Sequence, residues 1–192
     1  MKALCTSLAL TILLAAPSLG AREAAPPLPP GADAPAWTLP SPSGETVEFP
    51  ADADGRPAVV LFWATWCPWC KALMPHLQSI REDYAGRGVQ VFAVSVWDDG
   101  DPAGFIARNG YDFVTALEGD EIAYGYGVTG TPGLFVIDGD GEVAMNRFLI
   151  DLTERVPPPP GRDSLPPAQS AEAWAGLVRE SLDELLDEPL AD

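Results

Sequence analysis

From Trp37 the chain takes up strand-like alternation, with Val47 and Phe49 flanking Glu48 after a turn at Ser43-Gly44. Asp52 to Pro57 reads as a second turn. Ala58 to Trp63 is an unbroken apolar run between turn residues, which predicts a central strand buried on both faces. Leu73, Leu77, Ile80 and Tyr84 then recur at helical spacing, so a helix is predicted from Pro68. Pro68 suits the first helical position, where its missing N–H is harmless, and Pro75 is expected to kink the helix. Residues 89–96 predict a second buried strand, 102–109 a short helix ended by Gly110, 113–117 a short strand and 121–126 a helical turn or two. Residues 134–137 and 142–149 read as strands joined through the hairpin signal Asp138-Gly139-Asp140-Gly141. Trp174, Leu177, Val178, Leu182 and Leu185 give one apolar face of a last helix, with Ser170 as its N-cap. Strands alternating with helices, then a hairpin and a helix, predict an α/β fold with a central mixed β-sheet flanked by helices.

The flanks have a different texture. Lys2, the apolar run Leu8 to Ala16, then Pro17, Ser18, Leu19 and Gly20 predict a secretory signal peptide over 1–20, cleaved before Ala21. The alternative is an uncleaved membrane anchor, for which the run is short. Residues 21–33 are rich in Ala and Pro and are expected to form a flexible tether. A domain follows over 34–155, then a Pro-rich linker over 156–169, then a helix over 170–188 that packs on the domain.

Composition narrows the partners. The chain carries 11 Lys and Arg against 28 Asp and Glu, a net charge of −17. Such a polyanion is a poor partner for nucleic acid or anionic membrane surfaces.

Cys5 would leave with the signal peptide, so the mature chain keeps Cys67 and Cys70. Their C-x-x-C bridge closes too small a loop to restrain the unfolded chain much, which favours redox chemistry over stapling. A structural zinc usually takes four Cys or His ligands, and the mature chain offers two Cys and His76, so no metal is expected. Cys67 sits where the buried strand meets the next helix. The N–H groups and partial positive charge of that helix end favour thiolate over thiol. Cys67 is therefore the expected nucleophile. Cys70, one turn on, is placed to resolve a mixed disulfide.

The segment Phe62-Trp63-Ala64-Thr65-Trp66-Cys67-Pro68-Trp69-Cys70-Lys71 resembles the active site of thioredoxin-fold proteins, most closely the exported TlpA/ResA-like thiol-disulfide oxidoreductases. Ala34 to Leu39, Gly44 and Gly55-Arg56-Pro57 resemble that branch's entry β-hairpin, and Gly127-Val128-Thr129-Gly130-Thr131-Pro132 its cis-proline loop. The likeness covers about residues 34–150. It implies a thioredoxin-like fold with an N-terminal β-hairpin, to which this chain adds a C-terminal helix after its Pro-rich linker. It implies that Pro132 is cis beside the disulfide, and that the backbone of Thr131 pairs with an extended substrate segment. Trp66 would pack beside the cysteines, and Trp69 would line the binding surface. Thioredoxin carries a buried acid where this chain has Leu61. The branch's acid after the next strand points instead to Asp98 or Asp99 as an acid-base group for Cys70, with two solvated turn acids as the alternative. Gly133 replaces a polar residue found in relatives.

The function this implies is an exported, periplasmic oxidoreductase that needs no cofactor. It would reduce protein disulfides through Cys67 and Cys70 and be re-reduced by a membrane electron donor. A dithiol oxidase of the same fold and a non-enzymatic binding module are the alternatives. The Cys67 segment lacks the threonine and arginine arrangement that a peroxidase uses.

Overall fold

The computed structural model describes residues 24–187. The expected signal peptide and Cys5 lie outside the described residues. The elements run β1 (Trp37–Pro40), β2 (Thr46–Phe49), β3 (Ala58–Trp63), α1 (Pro68–Asp83), β4 (Gln90–Ser95), α2 (Pro102–Asn109), β5 (Val114–Ala116), α3 (Asp120–Gly125), β6 (Gly133–Ile137), β7 (Val143–Asn146), α4 (Leu152–Arg155) and α5 (Pro167–Asp187).

Five strands form one sheet in the order β5-β4-β3-β6-β7, while β1 and β2 form a separate antiparallel hairpin. β3, β4 and β5 are parallel to one another, whereas β6 runs antiparallel to β3 and β7 antiparallel to β6. Parallel neighbours need a crossover, which α1 supplies between β3 and β4.

Every residue of β3 is buried, as its continuous apolar run predicts. Val59, Leu61 and Trp63 face a core built with α1 and α5. Val60 and Phe62 face the opposite core, where Trp37, Phe49, Phe92, Tyr126 and Phe135 gather beneath the β1–β2 hairpin. The chain is therefore a mixed α/β sandwich of the thioredoxin-like type, with the hairpin and α3 on one face and α1, α2 and α5 on the other.

α1 continues on both sides of Pro75, whose side is exposed. α2 starts from Asp101, whose carboxylate accepts from the Gly104 N–H at 2.8 Å, and ends at Gly110 with φ of 67°. α5 lies along α1. Its Val178 and Leu182 are fully buried, and Arg179 reaches Asp83 at 2.6 Å.

Three features differ from the sequence expectation. The strand expected over 142–149 stops at Asn146. The Asn146 side chain accepts from the Phe148 N–H and turns Arg147–Leu149 into a 3-10 turn. The Phe49–Pro50 peptide bond is cis, at the start of a second 3-10 turn. Residues 24–33, expected as a flexible tether, are fastened to the domain. Ala25 donates to Tyr124, Gly31 to Val143 and Ala34 to Gly141, while Leu28 accepts from Asn146. A Cβ on Gly127 would lie 2.7 Å from the Ala25 carbonyl, so this strap crosses where only glycine leaves room.

Among the described residues, no helix is long and apolar enough to cross a membrane.

Candidate active site

The register of the sheet collects the chemistry at one end. Trp63 pairs with Ser95 at the ends of β3 and β4, and Phe62 pairs with Gly133 at the start of β6. The segments 64–67, 97–100 and 131–132 thus emerge side by side. Crevices outside the carboxyl ends of strands are where open α/β sheets commonly bind their ligands.

The loop from β3 to α1 is held from several sides. Asp98 accepts from the Thr65 backbone N–H at 2.5 Å, from the Thr65 hydroxyl at 2.6 Å and from the Gly100 N–H at 3.0 Å. The Trp66 indole donates to the Trp97 carbonyl at 2.9 Å. Trp97 has φ of 50°, a left-handed conformation that is strained for a bulky residue, and its N–H is anchored by Asp120 at 2.8 Å.

Cys67 is the N-cap of α1, with Pro68 following it. Its Sγ accepts from the Cys70 N–H at 3.1 Å, and the two cysteines are joined as a disulfide with Cα atoms 5.3 Å apart. In the reduced protein the same N–H and the helix dipole favour a thiolate on Cys67. Cys70 is fully buried among apolar neighbours including Leu61 and Leu73, surroundings that favour the neutral thiol. Cys67 is almost as closely covered, 1% exposed in the same buried cluster, so what distinguishes the two sulfurs is the Cys70 N–H that Cys67 accepts and its place at the helix end.

Trp66 and Trp69 stand 56% and 41% exposed above a disulfide that is itself almost covered. The Thr131–Pro132 peptide bond is cis. A groove of about 440 Å³ runs from Trp69, Thr131 and Pro132 to Leu165 and Trp174. Its far wall comes from the linker and α5. Arg147 donates to the Pro132 carbonyl from within this groove. Burial pushes the Arg147 pKa down.

Of the residues singled out in the sequence, Cys67, Pro68 and Cys70 share the first turn of α1, Trp66 and Trp69 rim it, and Thr131 and Pro132 line the adjoining groove. Asp98 turns its carboxylate to Thr65 and Gly100, and Asp99 is exposed. Neither hydrogen-bonds to Cys70 among the described residues. Gly133 is crowded: a Cβ there would lie 3.0 Å from Val128 and 3.1 Å from Phe62. The sequence reading missed Arg147 and the part of the groove wall built by Leu165 and Trp174. Their apolar and charged neighbours come from separate elements, so no local pattern marks them. Among the described residues, no cluster of three or more His, Cys, Asp or Glu is placed to hold a metal.

Comparison with known proteins gives one consistent answer. Residues 30–145 match the AhpC/TSA family. The chain is 36% identical over 132 residues to the thiol:disulfide interchange protein HelX of Rhodobacter capsulatus, covering 66% of this chain and 71% of that one. It is 33% identical over 116 residues to the thiol-disulfide oxidoreductase ResA of Bacillus thuringiensis, covering 59% of this chain and 66% of that one. The crystal structure of a putative thiol:disulfide interchange protein DsbE from Chlorobium tepidum superposes with a TM-score of 0.62 at 28% identity, covering 81% of this chain and 99% of that one.

Proposed function

The chain belongs to the AhpC/TSA family, among relatives named as thiol-disulfide oxidoreductases, and we propose that it is an exported, periplasmic reductase of protein disulfides. The observation that carries this reading is the placement of Cys67 at the N-cap of α1, bridged to a buried Cys70. The reduced Cys67 thiolate attacks one sulfur of a substrate disulfide. A mixed disulfide forms and the first substrate thiolate leaves. Cys70, losing its proton, attacks the Cys67 sulfur and releases the second substrate thiolate. Two electrons pass to the substrate, and the Cys67–Cys70 disulfide remains. A membrane electron donor of the thiol-reductase type then restores the dithiol, because the compartment is oxidising.

Trp66 and Trp69 shape the approach to the sulfurs, and Pro132 contributes a surface without a competing N–H. The Thr131 backbone receives the substrate as an added extended segment. Asp98 is a positioning residue for Thr65 and the Cys67 loop. Residues 1–20 act as a cleaved signal peptide. The unit at work is the domain over 34–155 with its linker and C-terminal helix. Reduction is the direction we favour because it is the commoner role in the TlpA/ResA-like branch that this sequence resembles.

The test uses the chain starting at Ala21. Cys67→Ser should abolish reduction of a disulfide-bonded protein, and retained activity would overturn the mechanism. Equilibration with a glutathione buffer should give a potential near the thioredoxin value of about −270 mV. A value near about −120 mV would make the protein an oxidant and reverse the proposed direction.

A further inference from the structure

The groove beside the disulfide holds a cation that no carboxylate among the described residues neutralises. Arg147 opens the 3-10 turn after β7, and its Nη1 donates to the Pro132 carbonyl. Its guanidinium carbon lies 5.0 Å from the Phe148 ring centroid and 5.5 Å from that of Trp174. Nε is buried without a hydrogen-bond partner, as is the Thr131 hydroxyl oxygen in the same groove.

Arg81, Arg87, Arg108, Arg155 and Arg179 each reach a carboxylate, at 2.6–3.9 Å. Arg147 pairs with no carboxylate among the described residues. Arg56 and Arg162 also reach no carboxylate among the described residues, but both are exposed to solvent, whereas Arg147 is half-buried in the groove. A half-buried charge whose Nε has no partner is costly, and ring faces with one carbonyl compensate it only in part. An incoming carboxylate would complete it.

We infer that Arg147 is the carboxylate-binding residue of this groove, and that the preferred substrate is a polypeptide disulfide with an acidic side chain within a few residues of its reacting cysteine. The inference rests on the Cys67–Cys70 pair acting on protein disulfides as proposed above. A polypeptide fits better than a small polar disulfide because the groove continues past Arg147 to the apolar walls of Leu165 and Trp174.

The chain's own charge makes the test sharp. A net charge of −17 disfavours every acidic substrate at long range, so a preference for one has to arise locally. Two synthetic disulfide-bridged peptides are compared, identical except for Glu or Gln two residues from the cysteine. The reduced protein should react with the Glu peptide about tenfold faster at low salt, the size of one charge-assisted hydrogen bond. Arg147→Gln should bring that ratio to about one, and Arg147→Lys should keep part of it. Equal wild-type rates with the two peptides overturn the inference, and so does an Arg147→Gln protein that keeps the ratio. The wild-type ratio needs no variant, so an Arg147→Gln protein that fails to fold does not shelter the inference. Failure of the wild type to reduce either peptide overturns the reading of the cysteine pair itself, a result distinct from equal rates.

Discussion

Cys67 and Cys70 are legible in the sequence because their spacing matches one helical turn, and both sit where the strand-to-helix reading puts them. Asp98 was legible by position alone. Its partner is Thr65, 33 residues away, and no local pattern announces that contact. The carboxylate takes three donors, all in the turns flanking the cysteines' loop, so its work is to hold Thr65 and Gly100. Asp98→Ala should therefore cost about 2 kcal/mol of stability, the scale of hydrogen bonds to a charged acceptor, and slow the reaction. The pH–rate profile of the surviving activity should keep its shape. A displaced profile would mean that Asp98 exchanges protons with Cys70, which its hydrogen bonds do not support. Arg147 had no sequence signal, since Phe148, Trp174 and Pro132 meet around it only once β7, α5 and the cis-proline loop are assembled.

At the scale of elements, hydrophobic period was the reliable guide. The continuous run of β3, the helical spacing of α1 and the hairpin residues before β7 each produced the expected element. The returning strand was read too long because Phe148 and Leu149 extend its apolar character past the point where Asn146 ends it. Short 3-10 turns and α4 escaped notice, since so few residues carry no period to detect. α5 is the element whose contribution is most open to measurement. Leu182 is fully buried against the α1 side of the core, so Leu182→Ala should destabilise the protein by about 3 kcal/mol. Chemical denaturation measures this. A loss under about 1 kcal/mol would mean that α5 is only loosely docked, and the far wall of the groove with it.

For the whole molecule, charge sets the largest unspent force. Exposed ion pairs such as Arg108–Asp101 and Arg155–Glu180 contribute little each, and a net charge of −17 opposes compaction throughout. Screening should relieve the second effect more than it weakens the first. The melting temperature at neutral pH should thus rise as salt goes from about 0.01 M to about 0.15 M, where the Debye length falls from about 30 Å to about 8 Å. A fall in melting temperature would show that ion pairs dominate. The strap over residues 24–34 bears on something else, the order in which the protein can be completed. It is made first, yet it closes on the last strand: Leu28 meets Asn146 across 118 residues, and Ala32 accepts from Val143. Until β7 has been threaded into place, the strap can grip the domain only at its start, where Ala25 meets Tyr124, and once β7 arrives its outer edge needs covering. Unguarded strand edges recruit other chains. A nascent copy is therefore most vulnerable to clumping in the interval between the docking of β7 and the fastening of its own N-terminal end.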